Sequence, residues 1–265
     1  MAGSPGSGPI SRTTSSAPST DTGAADARAT DARTPDDQQP DGAEPAARPR
    51  RVLYGRRSGP GLGPRARERL DRLLPALALD LPASGAVDPD SLFDARPGRV
   101  WLEIGFGGGE HLARQATANP DVGLIGVEPY LDGVARLLRT IEAEGLGNIR
   151  LFVDDARLLL DRLPAASLER IFVLFADPWP KKRHWKRRIV NARTVARFAE
   201  LLADGGELRV ATDDPGYRRW MLARLLAEPR LDWQATGPRD WRQRPVDWPP
   251  TRYEAKAVAA GRRPV

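Results

Sequence analysis

Between Phe175 and Asn191 the chain reads FADPWPKKRHWKRRIVN, which joins a carboxylate to a dense run of cations. Asp177 follows Ile171 to Phe175, a short apolar run of β-formers that reads as a strand. Prolines at 178 and 180 stop both strand and helix, so Asp177 and Trp179 are expected in a stiff turn. Six of the eight residues from Lys181 to Arg188 are Lys or Arg, with Trp185 among them. Cations that neutralise phosphates beside an aromatic that stacks on bases make a surface for nucleic acid. The plainer reading of the cations alone is a solvated loop leading into a helix.

A second cluster lies upstream. Glu103-Ile104-Gly105-Phe106-Gly107-Gly108-Gly109 ends an apolar run and precedes a helix that begins near Glu110. Glycines let the backbone turn tightly and approach a ligand at the carboxyl edge of a sheet. A dinucleotide fingerprint needs a third glycine where this chain has Glu110, whereas the form ExGxGxG suits S-adenosylmethionine, which has no pyrophosphate to seat. Glu128 closes the next apolar run, where a carboxylate can accept from both ribose hydroxyls. Asp154-Asp155-Ala156 closes the third, placed to read an adenine amino group and ring; strand alternation favours Asp155 and leaves Asp154 open.

These residues need a scaffold that brings strand ends together. Short apolar runs alternate with amphipathic helices from Arg99 onward, the pattern of βαβ units and a largely parallel sheet. The strands read as Val100 to Ile104, Gly123 to Val127, Ile149 to Val153, Ile171 to Phe175 and Glu207 to Ala211. A helix is expected over Asp132 to Glu144, with Val134, Leu137, Leu138 and Ile141 on one face. Leu231 to Ala235 and Tyr253 to Ala259 read as a closing antiparallel pair, which would bring the sheet to seven strands with an antiparallel edge. Residues 51–98 read as a basic extension, with Arg51, Arg56 and Arg57 and a helix carrying Leu70, Leu73, Leu74 and Leu77 that Pro75 limits.

Composition narrows the class. The first fifty residues have Ile10 as their only bulky aliphatic and are expected to be a disordered tail, leaving 99–265 as the main domain. That tail carries 5 Arg against 7 Asp and Glu, so the other 215 residues hold 36 basic against 28 acidic residues, a net of +8 that favours an anionic partner. With no cysteine, thiolate chemistry and Cys-bound metals are excluded, and His111 and His184 alone leave little for a metal site. No apolar stretch has the length of a signal or membrane segment, so a cytoplasmic protein that is a monomer or homodimer is expected.

EIGFGGG, GVEP, DDA, FADPWPKKRHWKRR, ATDD and TRYE occur in this order from Trp101 to Glu254, and with them the chain resembles the bacterial tRNA (guanine-N7)-methyltransferases. The resemblance implies a Rossmann-like class I methyltransferase fold, S-adenosylmethionine as methyl donor, and tRNA as partner, with guanine 46 of its variable loop as acceptor. Carried over by motif, Glu103, Glu128, Asp155 and Asp177 are the cofactor-site acids, Gly105, Gly107 and Ala156 complete that site, and Asp177 is also catalytic. Lys181, Asp213, Thr251, Arg252, Tyr253 and Glu254 are implied to bind substrate, and Arg183, His184, Trp185, Lys186, Arg187 and Arg188 to touch tRNA. Ala176 departs from the family, which usually has proline there, and this is expected to loosen the turn. Trp179 or Tyr253 is a candidate for stacking on the guanine, while His111 reads as structural.

Overall fold

A computed structural model describes residues 10–12 and 61–265. In chain order its strands are β1 (Ile10–Arg12), β2 (Val100–Ile104), β3 (Gly123–Val127), β4 (Ile149–Phe152), β5 (Leu168–Leu174), β6 (Leu202–Ala211) and β7 (Leu231–Trp233). The helices are α1 (Pro64–Leu77), α2 (Glu110–Ala118), α3 (Leu131–Glu144), α4 (Ala156–Leu160), α5 (Ala192–Leu201), α6 (Pro215–Leu225), α7 (Pro238–Arg242) and α8 (Arg252–Ala259). The expected tail and the arginines at 51, 56 and 57 otherwise fall outside the described residues.

Five parallel strands, in the order β4-β3-β2-β5-β6, form the centre. The chain moves outward from β2 to β4, then crosses back to lay β5 against the other side of β2. The strand order therefore reverses between β2 and β5, and their carboxyl ends diverge into a crevice. Each of the five strands ends within one residue of its expected position; β2 and β3 are buried throughout and read as apolar runs, whereas β6 begins at Leu202, five residues early, and runs through the polar Asp204-Gly205-Gly206.

Alternation along the strands divides the core. Leu102, Ile104, Ile125, Val127, Ile171 and Val173 pack with Leu159, Phe198, Tyr217 and Met221 of α4, α5 and α6. Trp101, Leu124, Ile149, Leu151 and Phe172 face the other way, onto Leu70, Leu112, Val134 and Leu138 of α1, α2 and α3. Helix α1 passes through Pro75 and ends two residues later at Leu77, since a proline in the last turn removes only one main-chain hydrogen bond.

The expected closing pair is not formed. Arg252–Ala259 is a helix, α8, capped by Thr251, whose side chain accepts from Glu254 N. Leu231–Trp233 is a strand, but its antiparallel partner is β1, which also lies antiparallel to β6. The β-forming residues Tyr253 and Val258 yield to the helix-start signal around them, Thr followed by Glu at the third position.

Candidate active site

A cleft of about 440 Å³ lies where the strand order reverses. Its lining gathers Gly105, Gly107, Glu128, Asp155, Ala156 and Asp177, adding Trp179 and Arg187 from the cationic side and Tyr253 from α8. A larger groove of about 920 Å³ beside β6 and α6 takes in Glu254 but none of the cofactor-site acids, and most of its surface is apolar. The smaller cleft is the one that gathers the expected cofactor-site residues, Glu103 apart.

Glu128 is fixed at the end of β3 by two main-chain donors: Gly107 N reaches Oε2 at 2.9 Å and Tyr130 N reaches Oε1 at 3.0 Å. Desolvation raises its carboxyl above the usual range against these two hydrogen bonds, and the charge of Asp177 raises it further. Asp177 is exposed as a residue, yet its carboxyl is also raised, by desolvation within the cleft. Two acids with weakened acidity thus face one cavity.

Asp155 caps α4, accepting from Arg157 N at 3.0 Å, and Arg157 Nη1 meets both carboxylate oxygens at 3.1 Å. Asp154 also lines the cleft, with Oδ1 accepting from Asp155 N at 2.8 Å. Gly107 has φ 59°, and a side chain there would meet the ring of Tyr253. Tyr253, roughly half exposed, covers the glycine turn from α8.

Glu103 is not among the lining residues. Alternation turns it with Trp101 toward α2, where it is 3% exposed and its Oε2 lies 2.7 Å from His111 Nδ1. Gln115 Nε2 sits 3.3 Å from His111 Nε2 and donates to Asp247 O at 2.8 Å. A donor amide at Nε2 makes Nδ1 the protonated nitrogen, which donates to Glu103. His111 is structural, as expected.

The cationic run divides by burial. Lys181, Lys182, Arg183 and Lys186 are exposed, His184, Trp185 and Arg187 are half-buried, and Arg188 is 4% exposed. Desolvation first, and then the cations at 187, 183 and 181, lower the pKa of His184, so it adds little charge to this surface. Arg187 stands over the Trp179 ring, 4.9 Å from its centroid. Trp185 turns inward onto Trp220 at 5.2 Å. Arg188, counted with the cationic surface and implied by the resemblance to touch tRNA, points inward between aromatic rings.

The remaining expected substrate residues lie outside the cleft lining. Asp213 pairs with Arg262 at 2.8 Å, Glu254 with Arg244 at 3.2 Å, and Arg252 with Glu110 at 3.6 Å. Thr251 is buried as the cap of α8. Two charged lining residues escaped the sequence reading, Arg136 and Arg157. Arg136 lies one turn beyond Gly133, which packs against Gly107 O, so helical spacing from that glycine points to it.

A parallel α/β sheet with a glycine turn and strand-end acids at its switch point has the architecture of a methyltransferase, and residues 97–264 match the family model described as "Putative methyltransferase". The tRNA (guanine-N(7)-)-methyltransferase of Rhodospirillum rubrum is 53% identical over 214 residues, 80% of this chain and 84% of that protein. The protein of the same name from Chelativorans sp. is 46% identical over 213 residues, covering 80% and 92%. A solved structure of an antibiotic related methyltransferase aligns at TM-score 0.41 and 19% identity, over 59% of this chain and 79% of that one. The chain belongs to the tRNA (guanine-N(7)-)-methyltransferase family.

S-adenosylmethionine fits the groups in the cleft. Glu128 offers a carboxylate to ribose hydroxyls, Asp154, Asp155 and the main chain of Ala156 offer partners to adenine, and the open face of Gly105 leaves room for close approach. Among the described residues no group of three or more His, Asp or Glu is placed to hold a metal ion. No described helix is long and apolar enough to cross a membrane.

Proposed function

We propose that this chain methylates N7 of guanine 46 in the variable loop of tRNA, in the cytoplasm, with Asp177 as its catalytic residue. The observation that carries the reading is the meeting of two carboxylates, Glu128 and Asp177, with Trp179 and Arg187 of the cationic side in one cleft. A small-molecule methyltransferase has no use for the exposed cations Lys181, Lys182, Arg183 and Lys186 in the segment that carries Arg187 into the cleft.

Guanine N7 carries a lone pair and no proton, so no general base is required. Bound S-adenosylmethionine supplies an electrophilic methyl group on a sulfonium. Glu128 holds the ribose end, and Asp154, Asp155 and Ala156 hold adenine. Asp177 accepts from the guanine N1 and N2 donors and stabilises the positive charge that develops on the ring as N7 is alkylated. A preorganised group of this kind contributes about 3 kcal/mol. Alignment of the reacting atoms is worth roughly 7 kcal/mol or more and is the larger share. N7 is on an edge that side chains do not reach inside regular A-form RNA. The guanine must leave its tertiary contacts, and Tyr253 and Trp179 provide aromatic faces at the cleft.

The test is incubation of purified protein with unmodified tRNA and methyl-labelled S-adenosylmethionine, followed by borohydride and aniline cleavage at 7-methylguanine. One cleavage in the variable loop is expected. Binding of both ligands without transfer would instead mark a non-catalytic RNA-binding protein, and cleavage elsewhere would move the target. Asp177→Asn should lower kcat at saturating tRNA by about 100-fold.

A further inference from the structure

Two guanidinium groups join the adenine side of the cleft, the cationic segment and the turn that carries Asp177. Arg157 donates from Nη1 to the Asp155 carboxylate, and from Nη2 to Arg187 O at 3.1 Å and Arg188 O at 3.4 Å. Arg188 then donates from Nε to Pro178 O at 2.8 Å and from Nη2 to Trp179 O at 3.4 Å. Every link runs through main chain or a guanidinium, and a planar fork of five donors is what such bridging requires.

Arg188 is in no position to meet a phosphate. Its guanidinium carbon lies 4.8 Å from the Trp185 ring centre, 4.7 Å from Trp220 and 5.2 Å from Tyr217, so aromatic faces and two carbonyls take the place of water. The turn it grips is a strained one. Phe175 and Trp179, which flank Asp177, have φ of 54° and 42°, a left-handed backbone that bulky residues adopt only when their surroundings enforce it. Ala176 supplies no ring of its own to stiffen this turn, and the carbonyls at 178 and 179 are the ones Arg188 holds.

We infer that Arg157 and Arg188 are positioning residues for methyl transfer, forming one brace that sets Asp177 against the cofactor and ties the RNA-binding segment to it. Neither contacts tRNA. The inference rests on the assignments made above of adenine to Asp155 and Ala156, guanine to Asp177, and tRNA to the exposed cations.

The experiment compares Arg188→Lys, Arg157→Lys, their combination, and Lys186→Ala as a reference phosphate contact, all in the full chain. Lys186→Ala should reduce the slope of log tRNA affinity against log salt by about 0.7 to 0.9. Each Arg→Lys change keeps its charge, so the slope should hold, while kcat at saturation falls about 10- to 100-fold from lost alignment. The combined variant should fall no further than the worse single one, as members of one unit do. Multiplying effects, or a reduced slope with normal kcat, would overturn the brace. Amide exchange supplies an arm that needs neither RNA nor turnover, so it separates failure of the brace from failure of the functional reading. S-adenosylhomocysteine should slow exchange over 181–188 in the wild type and not in Arg157→Lys; equal slowing in both would overturn the brace even if Arg188→Lys failed to fold.

Discussion

Tyr253 lies on Gly107 so closely that a methyl group at position 107 would fall 2.6 Å from its Cε2. The contact joins α8 to the glycine turn, and it gives the turn two separate reasons to be glycine, space and a φ of 59°. Gly107→Ala should therefore weaken S-adenosylhomocysteine binding by about 10-fold or more, through the displaced ring and about 1 to 2 kcal/mol of left-handed strain. Adding Tyr253→Ala relieves the first cause and leaves the second. Calorimetric titration of both variants should show partial recovery in the double variant; full recovery would show that the backbone angle is immaterial.

Gly133 presents the harder constraint. A methyl group there would come within 2.1 Å of Gly107 O, a main-chain atom that has no rotamer to move to. Alanine is the better helix former by about 1 kcal/mol, yet Gly133→Ala should destabilise the protein by about 1 to 3 kcal/mol, because α3 and the glycine turn must separate. Urea unfolding measures this directly. A more stable Gly133→Ala would mean that intrinsic propensity outweighs the contact.

The buried Glu103 and His111 pair leads to a prediction about stability rather than binding. Removing His111 strands a buried carboxylate, at a cost of about 3 to 5 kcal/mol, whereas removing Glu103 strands a neutral Nδ1–H, at a cost of about 1 to 3 kcal/mol. His111→Ala should show the larger cost and Glu103→Ala the smaller, and the double variant should cost less than the two together, with a coupling of at least about 1 kcal/mol. If Glu103 instead held the cofactor, Glu103→Gln would lose S-adenosylhomocysteine affinity while keeping its unfolding midpoint.

These contrasts show which parts of the molecule were legible in its sequence. The buried strands β2 and β3 announce themselves as apolar runs, and their terminal acids and glycines follow directly, whereas the first half of β6, with Asp204, Gly205 and Gly206, carries no such signal. Glu103 belongs to the same motif as Gly105, but a period of two turns it under α2, and nothing local in EIGFGGG says that His111 is waiting there. Charge counting placed all six cations of the 181–188 run on one surface; it could not foresee that Trp220 and Tyr217, roughly thirty residues on, would draw Arg188 inward. The helix at 252–259 was legible through Thr251 and Glu254 as a capping signal, and β-propensity at Tyr253 and Val258 obscured it. Local propensity gave way wherever a partner distant in sequence decided the outcome.

The two acids of the cleft make activity and stability respond to pH in opposite directions. Both carboxyls are raised, Glu128 by desolvation and then by Asp177, and Asp177 by desolvation. Ribose hydroxyls donate to the ionised form of Glu128, so affinity for S-adenosylhomocysteine should fall as pH drops through its raised pKa, above the range of an ordinary glutamate. Asp177→Asn removes the neighbouring negative charge, and the same loss of affinity should then occur at lower pH. For folding the sign reverses: a carboxyl raised above its unfolded value costs stability at every pH above the folded pKa, and the cost vanishes below the unfolded one. Asp177→Asn should accordingly melt higher than the wild type at neutral pH while losing activity, and its advantage should fade on acidification. A melting difference that is constant with pH would show that the carboxylate charge is not what strains the site.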